Sequence, residues 1–300
     1  MLTESGNLMK FGLHMPLKGG FAPNIKRAAA LGCRTLQIFP GNPTAWRLPD
    51  PQPEEFAKRR RLLAEHRIDP LIIHAAYLVN MSSANELFLE RSCRLMQETM
   101  ERAALLGAPF VVMHVGNHGG RGFDTGMELF ITTLAREMQN WPSGVSLLLE
   151  NTAGGGSSLG GSFASLGHIL GALGPAAPVG ICLDTAHAWA AGYDFASVEG
   201  IRASMEELFD AVKMDRIGVI HANNINSPRG KHRDRHMHLR EGLIPPEAFA
   251  TLLSYPWPED LPVILETPEI GSHWDEINLE ALRSFARMGA AQRGGEDGKS

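Results

Sequence analysis

The feature that most constrains this chain is an alternation. Eight times, a short apolar run of four to eight residues is followed by a longer segment with helical spacing, and that order implies parallel strands joined by helices. The runs fall at 11–15, 35–39, 71–76, 110–115, 146–151, 179–184, 218–223 and 263–267. Helices are expected over 24–31, 54–66, 86–106, 126–140, 162–173, 198–212, 246–253 and 278–288. Runs such as SLLLE and PVILE are almost continuously hydrophobic, as strands are when helices cover one face and a packed interior the other. No linker rich in Pro, Gly or Ser divides the 300 residues. The expected fold is α/β, a single-domain TIM (β/α)8 barrel over residues 10–288, preferred to a doubly wound open sheet. Residues 1–9 and 289–300 are expected as flexible termini, the latter because its small polar residues bury too little apolar surface to offset the entropy of ordering.

Composition narrows the function. With 28 Lys+Arg against 33 Asp+Glu the formal net charge is -5, so no global basic field exists to hold a polyanion, and any nucleic-acid contact must be local or metal-assisted. No apolar stretch approaches the roughly 18 residues of a membrane span, and no membrane partner is expected. Cys33, Cys93 and Cys182 are odd in number and widely separated, which argues against a disulfide framework or a CxxC zinc site. Together with a start that lacks a secretory pattern, this points to a cytoplasmic protein.

What ends each apolar run is the chemical signal. Run three closes on His74, four on His114, five on Glu150, six on Asp184 with His187 just beyond, seven on His221 and eight on Glu266. In a barrel all would lie at the C-terminal rim, where active sites are assembled from several strands. One histidine at a strand end is commonly a hydrogen-bonded structural residue. Six successive ends of this kind form a buried carboxylate cluster without matching Lys or Arg, which repels itself unless divalent cations enter. Imidazole and carboxylate without thiolate suit zinc, manganese or iron, and the histidine count favours zinc.

After run seven the segment NSPRGKHRDRHMHLREG, 226–242, forms a locally basic loop in an acidic chain. Within it Asp234 and His236 stand two apart, so an extended backbone directs both to one side. With His187 they could hold a metal with an open position, while neighbouring arginines meet phosphate oxygens. His14, His118, His232 and His238 are assigned supporting roles, and His66, His168 and His273 none. The GGG of ENTAGGGSSLGG lacks the GxxxxGK[ST] pattern and is expected to be a flexible loop.

These residues carry a family resemblance. HAAYLVN at 74, VVMHVGNH at 111, LLLENTAGGG at 147, ICLDTAHAWAAGYD at 181, HANN at 221, DRHMHLREG at 234 and ILET at 264 resemble endonuclease IV, the zinc-dependent apurinic/apyrimidinic endonucleases of base-excision repair. The resemblance implies a TIM barrel with three zinc ions per chain, manganese being able to replace part of them. The first would take His74 and His114, with Glu150 bridging to a second that adds Asp184, His221 and Glu266. The third would take His187, Asp234 and His236. It further implies hydrolysis of the phosphodiester 5′ to an abasic site, with 3′-hydroxyl and 5′-deoxyribose phosphate products, and trimming of blocked 3′ ends. Glu150 and Glu266 are the implied catalytic residues, Tyr77 is the implied contact to double-stranded DNA, made by a monomer, and Asn42 together with Arg233, Arg235 and Arg240 of the basic loop is expected to join it. The chain departs from the family at NPTAW, where Thr44 replaces an arginine that enters the duplex, at Val115, at Asn224, and at His238 and Arg240, which are expected to add charge beside the third metal.

Two rivals remain. A single-metal sugar isomerase or epimerase on the same barrel would need only Glu150, Asp184, His221 and Glu266, leaving the other five residues without a task. A non-catalytic DNA-damage binding protein would keep zinc in closed structural sites, unlike the open trio at His187.

Overall fold

The computed structural model describes residues 9–16 and 18–297, with side chains to 292. Residues 1–8, in the expected N-terminal tail, lie outside the described part.

All eight expected strands are present: β1 Lys10–His14, β2 Thr35–Ile38, β3 Leu71–His74, β4 Phe110–His114, β5 Ser146–Glu150, β6 Val179–Asp184, β7 Ile217–His221 and, after the short β8 Asn224–Ile225 and β9 His236–Met237, β10 Pro262–Leu265. The eight longer strands close into a parallel barrel in the order β1-β10-β7-β6-β5-β4-β3-β2, while β8 and β9 form a separate antiparallel hairpin. Helices α1 Phe21–Ala30, α2 Pro53–Glu65, α3 Glu86–Leu106, α4 Phe123–Glu137, α5 Phe163–Leu173, α6 Thr185–Ala191, α7 Val198–Ala211, α8 Pro246–Leu253 and α9 Trp274–Asp297 follow the expected segments, with α6 an addition. None of the described helices is long and apolar enough to cross a membrane.

Local chemistry sets the helix ends. The side chains of Asn85, Ser162 and Ser197 accept hydrogen bonds from Phe88 N, Ser165 N and Gly200 N, satisfying amides that have no partner within the first turn. The last helix is longer than its spacing suggested and takes in residues 289–297 of the segment expected as a tail. Gly289 lets this extension lie against α8, since a Cβ there would sit 2.2 Å from the Ala250 carbonyl oxygen.

Two apolar cores follow from side-chain alternation along the strands. One, between strands and helices, includes Leu13, Leu36, Ile73, Leu149 and Leu265. The other is a small buried set inside the barrel, Ile72, Val112, Leu148, Cys182, Val219 and Ile264, with Phe110 packed beneath. This interior plug supports whatever stands two residues further along each strand. The barrel closes tightly between β1 and β2, where a Cβ on Gly12 would meet Thr35 O at 1.9 Å. Gly12→Ala should therefore force backbone apart at the seam and lower stability by about 1–3 kcal/mol, read as a fall in the thermal or urea unfolding midpoint; an unchanged midpoint would contradict that packing.

Candidate metal centre

Stepping two residues from each interior apolar side chain reaches the next inward position. Ile72 leads to His74, Val112 to His114, Leu148 to Glu150, Cys182 to Asp184, Val219 to His221 and Ile264 to Glu266. The six polar strand ends thus form a layer on top of the barrel plug. Strand register places them side by side, with His114 opposite Glu150 and Asp184 opposite His221.

Their side chains meet. His74, His114 and Glu150 have ligand atoms within 4.8 Å of one another, as do Glu150, Asp184, His221 and Glu266, and so do Asp184, His187 and His236. Asp234 completes the last group, with its carboxylate oxygens 3.2 Å from His187 Nε2 and 3.1 Å from His236 Nε2. All nine expected positions come together, and Asp184 stands with two groups where the sequence reading gave it one. His187 arrives by way of α6, whose first turn is capped by Asp184 itself: its carboxylate accepts from His187 N at 2.6 Å. His236 arrives on the hairpin, where Ile225 pairs with His236.

Hydrogen bonds determine which ring nitrogen is free. A backbone carbonyl can only accept, so Nδ1–H of His74, His187 and His236 donates to Ala75 O, Asn151 O and Glu266 O, at 2.7, 2.9 and 2.9 Å. The opposite Nε2 atoms then turn to carboxylates: His74 Nε2 lies 3.2 Å from Glu150 Oε2, and His236 Nε2 is buried without a hydrogen-bond partner although Asp234 is beside it. His221 is held the other way round. Gln37 donates through Nε2 to Glu266 Oε1 at 2.7 Å, which leaves its Oε1 to accept from His221 Nε2 at 2.9 Å. His221 Nδ1 consequently faces Glu150 Oε1 and Glu266 Oε2 at 3.1 and 3.2 Å. A neutral imidazole lone pair aimed at a carboxylate oxygen is repulsive unless a proton or a cation lies between. Oriented lone pairs converging with carboxylates are the donor set of a divalent metal, so these residues fit one.

The titration of the groups expresses the same conflict. Burial pushes Asp184 up, outweighing His187 and His236. Burial also works to raise Glu150 and Glu266, yet His114 and His221 hold the first, and His221 and His14 the second, well below the usual carboxylate range. Burial would lower His187 and His221; Asp184 and Asp234 reverse that for His187, and Cys182, Glu266 and Glu150 for His221. His236, despite its own burial, is pushed up to about 9, chiefly by Asp234 and Asp184.

Gln37 and Asn223, which carry no role in the sequence analysis, complete the layer together with His14, which has a supporting one there. Gln37 and His14 occupy its remaining positions on β2 and β1 and are paired in register. Both ends of the buried Gln37 amide touch metal-group residues, and His14 Nδ1 lies 3.1 Å from Glu266 Oε1. Asn223 donates to Asp184 Oδ2 at 2.6 Å and accepts from Glu266 N at 2.8 Å. The period-two rule that selects His74 would also have selected Gln37, a polar residue between Leu36 and Ile38.

The rim residues expected at DNA divide. Tyr77 is 62% exposed over the site, its ring 6.0 Å from His74 and 6.3 Å from His114. Asn42 is exposed on the β2–α2 loop, its oxygen accepting from Thr44 N and Thr44 Oγ1. Arg233 and Arg235 are exposed and have no ion pair among the described residues, whereas Arg229 is bound to Asp194 at 2.8 Å. The exposed Arg240 has its guanidinium 5.2 Å from the centre of the Phe285 ring on α9, and His238 is buried, stacked on Trp274 at 3.7 Å. Asn224, another departure from the family, is structural: it donates to Leu239 O and Ile244 O and accepts from Ile225 N and Ile244 N, tying down the hairpin. The glycine-rich loop is also unlike its expectation. It is pinned by Thr152 N to Gly160 O, His118 N to Ser157 O and Leu159 N to Gly116 O.

The chain is similar to known proteins over most of its length. A family model described as a xylose isomerase-like TIM barrel matches residues 25–288. A probable endonuclease 4 of Natranaerobius thermophilus is 41% identical over 92% of this chain and 97% of its own. The crystal structure of endonuclease IV from Thermus thermophilus superposes with TM-score 0.81 at 34% identity, covering 93% of this chain and 99% of that one. A D-tagatose 3-epimerase-like protein, at 18% identity and TM-score 0.72 over 95% and 99% of the two chains, shares the fold.

Two outcomes follow from the site. A histidine raised in the metal-free protein keeps its proton until pH exceeds the raised value, and a metal must expel that proton to bind. Zinc binding to chelator-stripped protein should therefore release protons at pH 7, and its apparent affinity should rise with pH until His236 is neutral above about 9; calorimetry in buffers of different ionisation heat checks this, and buffer-independent heat would refute it. Gln37→Met removes the acceptor for His221 and a donor to Glu266, and should weaken metal binding by about 10- to 100-fold in a competitive chelator titration.

Proposed function

Because the chain belongs to the endonuclease IV family and is a hydrolase of the nuclease class, we propose that it repairs DNA by hydrolysing the phosphodiester 5′ to an abasic site. The observation that supports this most is the grouping of His187, Asp234 and His236 beside the two groups built on Glu150. A single-metal isomerase has no use for that grouping.

On this reading His74, His114 and Glu150 hold one zinc ion, Glu150, Asp184, His221 and Glu266 a second, and His187, Asp234 and His236 a third. Bound there, zinc would act as a Lewis acid, lowering the pKa of water from 15.7 toward about 7 and neutralising charge on the phosphate. The protein's own groups do the rest. Glu150, buried between four histidines, orients the attacking water. Glu266, held by Gln37 and Asn223, is placed to receive a proton. Water oxygen bonds to phosphorus as the bond to the 3′ oxygen of the preceding nucleotide breaks; that oxygen takes up a proton and leaves as a 3′-hydroxyl. The phosphate stays on the abasic sugar as a 5′-deoxyribose phosphate. The same displacement at a blocked 3′ terminus trims it.

Arg233 and Arg235, exposed beside Asp234 and without an ion pair among the described residues, meet phosphate oxygens. Tyr77 offers an exposed ring to the gap in the base stack, and extruding a nucleotide that lacks a base takes least unstacking energy. Asn42 touches the DNA from the second loop, without the duplex-entering arginine that Thr44 replaces. Three free, buried thiols suit a reducing cytoplasm.

Metal content and cleavage of a duplex oligonucleotide carrying one tetrahydrofuran abasic site test this reading. The expected result is near three zinc ions per chain, chelator-sensitive incision 5′ to the lesion, and loss of one ion with about a hundredfold or greater loss of rate in His187→Ala. One ion per chain that His187→Ala leaves untouched, with no incision, would replace this reading with the single-metal sugar isomerase. Three ions with lesion binding but no incision would replace it with a binding protein.

A further inference from the structure

Asp234 differs from the other three carboxylates of the metal groups. Glu150, Asp184 and Glu266 sit on barrel strands or directly after one, whereas Asp234 belongs to the irregular segment between β8 and β9. A carboxylate there can meet His187 and His236 only if the backbone on both sides is fixed. On its C-terminal side the hairpin does this. On its N-terminal side the fixed point is His232.

His232 has a left-handed backbone, φ 53°, that turns the chain, and its amide donates to Ala190 O at 3.0 Å, next to the bond from Gly230 N to Trp189 O. Both acceptors are at the end of α6, the helix that carries His187. The His232 ring reaches to the β5–α5 loop, where Nδ1–H donates to Ala153 O at 2.8 Å. There it lies against the glycine run: a Cβ on Gly155 would meet its Cβ and Cγ at 2.7 Å, and one on Gly154 its Nδ1 at 3.3 Å. Gly156, with a similar left-handed backbone, has nothing within 4 Å of its would-be Cβ.

We propose that His232, seated on Gly154 and Gly155, is a positioning residue that clamps the 233–235 segment to α6 and the β5–α5 loop, so that Asp234 turns to His187 and His236 while Arg233 and Arg235 turn outward. The glycine-rich motif then serves as the seat of this clamp. The inference rests on the three-ion reading above.

The test is stepwise Zn2+ titration of chelator-stripped protein against a chromophoric chelator, for the wild type, His232→Gly, Gly155→Ala, their double variant and Gly156→Ala. His232→Gly keeps the backbone turn and removes the ring. It should weaken one ion, the one that His187→Ala loses, by about tenfold, the scale of one lost hydrogen bond with its packing, and leave the other two unchanged. Gly155→Ala should do the same, and the double variant no more than either alone, because both break one contact. Gly156→Ala carries the backbone strain without the contact and should lower the unfolding midpoint while binding all three ions as the wild type does. Wild-type affinity for that ion in His232→Gly, additive effects in the double variant, or equal loss in Gly156→Ala would each overturn the clamp. A wild type that binds fewer than three ions would instead overturn the reading beneath it.

Discussion

Four carboxylates and five imidazoles crowd the top of this barrel, most of them buried, and neither set could be there alone. Carboxylates stripped of water repel one another, and imidazole lone pairs facing them add to the repulsion. The arrangement is stable when positive charge lies among them, as protons on the histidines or as divalent cations. The opposite charges facing one another raise His187, His221 and His236 and depress Glu150 and Glu266 against the effect of burial, so proton and metal compete for the same lone pairs.

The surrounding structure is arranged to keep those lone pairs aimed. Three backbone carbonyls and the Gln37 side chain each accept the proton of one histidine, so the opposite nitrogen has no choice of direction. Asn223 and Gln37 hold Glu266 from two sides. Beneath them Ile72, Val112, Leu148, Cys182, Val219 and Ile264 form a buried apolar floor. A polar layer of this kind depends on outer hydrogen bonds nearly as much as on the ligand atoms.

Much of this was legible in the chain. Strand positions and the inward-facing rule need only the alternation of apolar runs, and that rule reaches His74, His114, Glu150, Asp184, His221 and Glu266 without a structure. It reaches Gln37 too, although a glutamine inside TLQI looks at first like an ordinary buried residue with its amide satisfied. The family motifs ENTAG and DTAHAWAAGYD point to the same layer. Where the reading faltered, the competing force was tertiary. Nothing along the chain shows that the Arg240 guanidinium packs over the Phe285 ring on α9. The glycine run looked loose because glycine permits many conformations, and the ring of His232 selects one.

By itself the sequence determined the barrel, the polar layer at its rim and the choice of nitrogen and oxygen ligands over sulfur, because strand periodicity and residue chemistry are local properties of the chain. Only the tertiary structure decided how the candidate ligands divide into groups, that Asp184 stands with two of them, and which nitrogen His74, His187, His221 and His236 present. Those depend on distances between residues as far apart as Gln37 and His221, or Ala153 and His232, which meet when the barrel closes and its loops dock. No periodicity along the chain records which carbonyl will be waiting there.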